Sequence, residues 1–142
     1  MARVIFYEKP GCGGNARQKA WLRASGHEVE ARDLLRETWT IASLRPFFGS
    51  KPVHDWFNRS SPRVKSGDIR PEDLSAEAAL AAMIADPLLI RRPLMQVADR
   101  RESGFDAAVV DAWIGLTGTR AVSDACVRSQ DEPQGCAVTQ ER

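Results

Sequence analysis

Two histidines, His27 and His54, and three cysteines, Cys12, Cys126 and Cys136, are all that this chain of 142 residues offers in thiol or imidazole groups. Cys126 and Cys136 stand ten positions apart, with neither a C-x-x-C spacing nor a nearby histidine, so no structural zinc site is expected. Neither histidine falls into a Cys-His-Asn or Ser-His-Asp spacing, and both read as surface or boundary residues. Sparse thiols in odd number are unlike a secreted disulfide framework and fit cysteines kept reduced. Charge of one sign is not in excess either: 20 lysines and arginines face 19 acidic residues. Bulk electrostatics therefore offers no footprint for nucleic acid or an anionic membrane. No apolar run reaches the ~18 residues of a spanning helix. Met1-Ala2-Arg3 leads directly into a strand without the apolar segment of a signal peptide, and a soluble, cytoplasmic protein is expected. Internal repeats and low-complexity blocks are also lacking.

What the chain has is an apolar content of 43%, enough for one domain with a core of ordinary size. Val4-Ile5-Phe6-Tyr7 reads as a short strand, and the run from Gly13 to Leu22 as a helix stopped by Gly26. His27 to Arg32 then alternates polar and apolar residues as a half-buried strand would, completing a βαβ opening. An inserted helical region follows. Thr40 is placed to cap a helix through Ile41, Leu44 and Phe47-Phe48 to Gly49, and Pro52 to start a short helix carrying Val53, Trp56 and Phe57. Arg59 to Arg70, rich in Ser, Pro and Gly, reads as a loop, and Ser75 as the cap of an alanine-rich helix from Ala76 to Ala85. Leu88-Leu89-Ile90 and Leu94 to Val97 read as strands around Arg91-Arg92-Pro93. A turn from Ala98 to Gly104 and a last helix from Asp106 through Trp113 complete the order. The result is an α/β fold with a small mixed sheet under helical cover. Beyond Leu116 large apolar residues become rare, and residues 117–142 are expected to be a disordered tail.

Cys12 carries the chemistry this pattern offers. It sits where the first strand turns through Glu8-Lys9-Pro10-Gly11 into the helix, among unpaired backbone N–H groups at the positive end of the helix dipole. Such surroundings favour thiolate over thiol. Free cysteines are often inert core residues, but the flanking glycines keep this backbone open. Gly11-Cys12-Gly13-Gly14 lacks the Lys-Ser/Thr pair of a phosphate-cradling loop, although a helix start can still hold an anion. Asp68, Glu72, Asp73 and Glu77 flank a loop and a helix start, where carboxylates complement the dipole, and do not point to paired acid/base catalysis.

The stretch from Ile5 to Leu22, with Tyr7, Pro10, Cys12, Arg17 and Ala20-Trp21-Leu22, resembles the first β-α unit of the arsenate reductase (ArsC)/Spx family. Asp86-Pro87-Leu88-Leu89-Ile90-Arg91-Arg92-Pro93-Leu94 is similar to that family's hydrophobic, then Arg-Pro signature, and Gly104-Phe105-Asp106 resembles the entry to its last helix. Lys9-Pro10-Gly11-Cys12-x-x-Asn15-x-Arg17-Gln18-Lys19, with Arg32-Asp33-Leu34-Leu35, looks closest to the branch called nitrogenase-associated proteins. The resemblance implies a thioredoxin-like domain over residues 1–116, with Cys12 as redox nucleophile and Pro93 as a cis proline beside it. It places Arg92 on one oxyanion-binding position and Arg59 near another, where guanidinium forks suit paired oxygens.

Two departures from the family pattern bear on function. A third arginine used by true arsenate reductases is replaced by Gly104, which implies weak arsenate turnover unless Arg91, Arg100 or Arg101 fills the place. The second cysteine of Spx-type regulators is replaced by Asn15, so no disulfide can close within the loop. The resemblance thus implies an ArsC-like thiol redox protein with no bound cofactor, resolved by glutathione or glutaredoxin as external thiol, or less readily by Cys126 or Cys136. Its enzymatic form would be a glutaredoxin-dependent, arsenate reductase-like oxidoreductase. The competing expectation is a non-catalytic, thioredoxin-like adaptor or regulator whose partners are nitrogen-fixation proteins. Neither reading calls for nucleic acid or a membrane.

Overall fold

The computed structural model of the protein describes residues 1–117. The tail expectation for 117–142, Thr117 excepted, lies outside the described residues, as do Cys126 and Cys136. The described chain divides into two compact units, each assembled from segments far apart in sequence. The first takes Met1–Arg3, Gly11–Val29 and, among the described residues, 105–117, and the second takes Val4–Pro10 and Glu30–Gly104.

Apart from Arg3, Glu28 and Val29, the sheet lies in the second unit, in the order β2-β1-β3-β4, with β1 at Arg3–Glu8, β2 at Glu28–Asp33, β3 at Leu94–Val97 and β4 at Arg100–Ser103. Glu28 N–H donates to the Ala2 carbonyl at 3.0 Å and Leu34 N–H to the Glu8 carbonyl at 2.8 Å. The sequence offset is the same at both ends, which parallel pairing of β1 and β2 gives and antiparallel pairing does not. β3 runs antiparallel to β1, with Phe6 opposite Met95, and β4 antiparallel to β3, with Val97 opposite Arg100. The sheet is therefore mixed, as the sequence predicts.

Tyr7, on β1, opens an aromatic core. Its ring centroid lies 5.0 Å from that of Trp39 and 5.8 Å, edge-on, from that of Phe47. Phe48 and Trp56 stack at 4.6 Å. Such tilted, edge-on and stacked pairs add to the stabilisation by burial. Both buried indoles satisfy their N–H groups, Trp39 on the Leu34 carbonyl and Trp56 on the Lys51 carbonyl. Leu34, Leu44, Leu80, Met83, Leu89 and Leu94 fill the spaces between.

The inserted helical region is more broken than the sequence predicts. Thr40 caps as expected, its hydroxyl accepting from Ser43 N–H while Ser43 returns the bond, but α2 spans only Ile41–Leu44. Pro46 then sits at the start of a 3₁₀ turn over Arg45–Phe47, because proline has no N–H to continue the α-helical ladder. A second 3₁₀ turn covers Val53–Trp56. The stretch from Arg59 to Arg70 is not all loop: α3 covers Pro62–Lys65. Ser75 caps α4 at Ala76–Ala85 by accepting from Ala78 N–H.

Leu88-Leu89-Ile90 does not form the expected strand. Pro87 opens a 3₁₀ turn over Pro87–Leu89, with the Asp86 side chain accepting from Leu88 N–H, and Ile90 alone bridges to Phe57. The expected turn from Ala98 to Gly104 is another correction. Only Ala98-Asp99 turns, with Ala98 at φ 51°, and Arg100–Ser103 is β4. Its charged residues resemble a loop but are also how proteins protect a sheet edge.

In the first unit, α1 spans Gly13–Ala24 and α5 spans Ala107–Ile114. The C-terminus of α1 closes with Gly26 N–H on the Arg23 carbonyl and His27 N–H on the Leu22 carbonyl. This double bond pattern requires a left-handed residue, here Gly26 at φ 91°, and satisfies carbonyls that would otherwise be orphaned. Asp106 caps α5 through Ala108 and Val109 N–H. The apolar filling is modest, with Leu22, Phe105, Val110 and Leu116 buried and Trp21 tilted against Phe105 at 5.8 Å.

His27, 7% exposed, supplies a polar clamp. Ala2 N–H donates to its Nδ1 at 3.0 Å, and its Nε2 meets the Gly115 carbonyl at 2.7 Å. The carbonyl can only accept, so the proton is on Nε2. The sequence reading of His27 as a surface or boundary residue is thus corrected: it is an interior tie. Thr117 extends the same side, accepting from Trp21 Nε1–H at 2.6 Å and donating its N–H to Ser25 Oγ at 2.9 Å.

Candidate functional site

Cys12 is the N-cap of α1, with extended backbone at φ −77° and ψ 118°. Its carbonyl accepts the first helical bond, from Ala16 N–H at 3.0 Å, and its thiol is free and half-buried. A Cβ added at Gly14 would sit 3.9 Å from Cys12 Sγ, so the sulfur lies against the opening turn, where backbone N–H groups have no helical acceptor. No acidic residue occupies that turn, leaving the helix end positive toward the sulfur. Arg17, exposed, brings Nη1 within 3.7 Å of where a Gly13 Cβ would be, adding a guanidinium at the same end. Asn15 is 2% exposed and its Nδ2 donates to Gln18 Oε1 at 3.0 Å. At the position where Spx-type proteins carry a cysteine, this chain thus has a buried, hydrogen-bonded amide.

The other nominated residues lie in the second unit. The Arg92–Pro93 peptide is cis. Arg92 is half-buried, and its Nε is fully buried with no hydrogen-bond partner. An unpaired buried guanidinium N–H is costly, so a ligand accepting from it would relieve a penalty.

Arg59 stands otherwise. It is exposed, and its Nη2 donates to Glu72 Oε2 at 2.7 Å and to the His54 carbonyl at 3.4 Å. That hydrogen bond, before all else, holds the Glu72 carboxyl below its ordinary value of 4.5. Arg59 and Arg92 follow Phe57 and Ile90 on two antiparallel, bridged segments, with Asn58 N–H on the Leu89 carbonyl and Arg91 N–H on the Trp56 carbonyl. They leave the bridge in opposite directions, so the local geometry does not gather them.

Sequence reasoning treated Gly104 as a loss. In the structure it is buried, at φ 76°, and its N–H donates to the Pro93 carbonyl at 2.8 Å. The guanidinium of Arg91 lies over it. The available signal was the register: Leu94 faces Ser103, which sets Gly104 beside Pro93 and within reach of the arginines before it. Among the described residues no group of three or more His, Cys, Asp or Glu is placed to hold a metal ion. No described helix is long and apolar enough to cross a membrane.

The ArsC family profile matches residues 7–113. A Rhodospirillum rubrum protein named "Uncharacterized 15.7 kDa protein in draG 3′ region" is 59% identical over 82% of this chain and 81% of its own. Regulatory protein MgsR of Bacillus subtilis is 27% identical over 66% of this chain and 75% of its own. Among solved structures, an arsenate reductase from Vibrio cholerae superposes with a TM-score of 0.62 at 23% identity, covering 72% of this chain and 90% of that one.

Proposed function

The chain belongs to the ArsC family and has its thioredoxin-like fold, and we propose that it is a thiol redox protein of the nitrogenase-associated type in which Cys12 is the sole loop nucleophile. The Cys12 thiolate attacks one sulfur of an oxidised substrate, a disulfide or glutathione mixed disulfide. A bond forms between Cys12 Sγ and that sulfur, and the other sulfur departs as thiolate and takes up a proton. A second thiol, glutathione or glutaredoxin, then attacks the adduct, frees Cys12 and carries away the new disulfide. The net change exchanges one disulfide for another: the departing half of the substrate leaves as a thiol, the external thiol enters the new disulfide, and Cys12 ends reduced.

The observation that carries this reading is Cys12 at the N-cap of α1, free, beside open backbone N–H groups and with no acidic residue in the first turn. Asn15 in place of a second cysteine requires the resolving thiol to come from outside the loop. The unpaired Nε of Arg92 supports anion binding. The engagement of Arg59 with Glu72 argues for a site with fewer free arginines than arsenate reduction uses, and arsenate turnover should be weak.

The second reading, a non-catalytic regulator, is favoured by two names: the B. subtilis relative is called a regulatory protein, and the R. rubrum relative is named for the draG 3′ region. On that reading the partners are proteins of nitrogen-fixation metabolism. One assay separates the two. With glutathione as the only external thiol, purified protein should speed reduction of a glutathione mixed disulfide above the rate of glutathione alone, and Cys12→Ser should remove that increment with an unchanged melting temperature. Equal rates for the two proteins, or none for either, would leave the regulator.

A further inference from the structure

The three residues after α5 are held by polar bonds within the first unit. The Gly115 carbonyl meets His27 Nε2 at 2.7 Å, and Leu116 N–H donates to Asp111 Oδ1 at 2.8 Å. Thr117 bonds the C-terminal end of α1 through both backbone groups, its carbonyl accepting from Trp21 Nε1–H at 2.6 Å and its N–H donating to Ser25 Oγ at 2.9 Å. The Thr117 and Ser25 hydroxyls add a contact at 3.3 Å. The chain is thus strapped to the helix whose N-cap is Cys12. Trp21 and Ser25 follow Cys12 by nine and thirteen residues, so the helical rise sets Thr117 about 14–20 Å along the axis from the thiol. Cys126 follows Thr117 by nine residues, and that length of chain spans up to ~30 Å. The strap therefore fixes the start of a tether long enough to bring Cys126 to Cys12.

We propose that Cys126 is the resolving thiol for Cys12. The proposal rests on the thiol redox reading above and names the thiol that acts first on its adduct. Asn15 leaves no resolver inside the loop, being a buried amide bonded to Gln18. Tethered at Thr117, Cys126 meets the Cys12 adduct as an intramolecular reactant, at an effective concentration in the ~mM range whatever the dilution of the protein. Its thiolate attacks Cys12 Sγ. A disulfide forms between Cys12 and Cys126, the bond from Cys12 to the substrate sulfur breaks, and that sulfur leaves as thiolate and takes up a proton. Two external thiols of the glutathione class then reduce the internal disulfide, become a disulfide themselves and return both cysteines as thiols. Cys136, nineteen residues beyond Thr117, would close a longer loop at greater entropic cost.

The test mixes the reduced full chain with one equivalent of oxidised glutathione, quenches samples in acid and maps their disulfides by mass spectrometry without reduction. A glutathione adduct on Cys12 should form first and decay as a Cys12–Cys126 linkage grows, at a rate independent of protein concentration. Cys126→Ser should lengthen the life of the Cys12 adduct by roughly tenfold or more. Deleting residues 118–124 in a Cys136→Ser chain leaves Cys126 only ~7 Å of backbone reach from Thr117, and should preserve the adduct in the same way. An adduct on Cys12 that lasts equally long with and without Cys126 overturns the proposal and leaves the redox reading standing. Linkage that survives the deletion, that depends on protein concentration or that joins Cys12 to Cys136 instead also overturns it. Should the deletion fail to fold, Cys126→Ser decides alone. Absence of any glutathione on Cys12, in every variant, would remove the redox reading and the proposal with it.

Discussion

In the second unit Tyr7, Trp39, Phe47, Phe48 and Trp56 pack ring against ring, whereas the first unit has few large buried side chains and encloses two polar ones, Asn15 and His27. Ring packing is strong and weakly directional, and it tolerates small displacements. Hydrogen bonds to an imidazole or amide are weaker in net terms but fix angles. The unit that carries the thiol is built with the directional kind. Precision at the start of α1 is thus obtained from Asn15 near one end of the helix and His27 just beyond the other, while the bulk of apolar burial sits with the arginines.

The harshest way to probe that contrast is to empty the aromatic core. Trp56→Ala removes a stacked ring and leaves the Lys51 carbonyl without its indole donor, and should cost about 3–5 kcal/mol. Chemical denaturation measures it, and a loss below about 1 kcal/mol would show that the rings are not what holds the second unit. In the first unit, His27→Ala strands the Ala2 N–H and the Gly115 carbonyl and should cost about 1–3 kcal/mol. His27→Gln, which can still donate and accept, should recover part of it. Equal losses for Ala and Gln would mean that the imidazole acts by filling space.

A finer cut concerns Thr117. A chain ending at 116 loses the bonds to Trp21 and Ser25, and one ending at 120 keeps them. Both bonds are exposed, so the difference should be at most about 1 kcal/mol, read from paired thermal melts. The smallest effect belongs to the surface of the second unit. Glu72 has its carboxyl lowered by Arg59, so the pair contributes stability that is fully present above the ordinary carboxylate range and disappears as pH falls through the lowered value. Glu72→Gln should match the wild type in melting temperature near pH 3 and fall slightly behind it near neutrality. A variant that trails only in acid would reverse the assigned sign.

Much of this architecture is legible in the sequence because caps are local. Thr40, Ser75 and Asp106 announce helix starts and Gly26 a helix end, through bonds made within a few residues. The parallel opening follows from two strands, one apolar and one alternating polar and apolar residues, separated by one helix. β4 was hidden because Arg100, Arg101 and Glu102 look like loop residues until a register is known. Leu88-Leu89-Ile90 misled because an apolar triplet has the same composition in a strand and in a 3₁₀ turn, and the decision belonged to Asp86 and Pro87. At the site, the position of Cys12 could be read from the glycines around it. The partners of Arg59 and the place of Arg91 over Gly104 depend on residues brought near by the fold, and no spacing rule encodes them.

The contact between Arg91 and Gly104 also has a genealogical consequence. Because two anchored backbones share one small volume, the residues at 91 and 104 are not free to drift independently. A lineage that gains a side chain at 104 must first, or at once, shorten or redirect the one at 91, since the intermediate carrying both pays for the positive φ, about 1–2 kcal/mol for a residue other than glycine, and for the collision. Descendants of a common ancestor should therefore sort into two classes, glycine with a long cation or a bulkier residue with a small neighbour, with the mixed combination rare. Counting those combinations among related sequences requires no protein at all, and an even scatter would show that the shared volume constrains nothing.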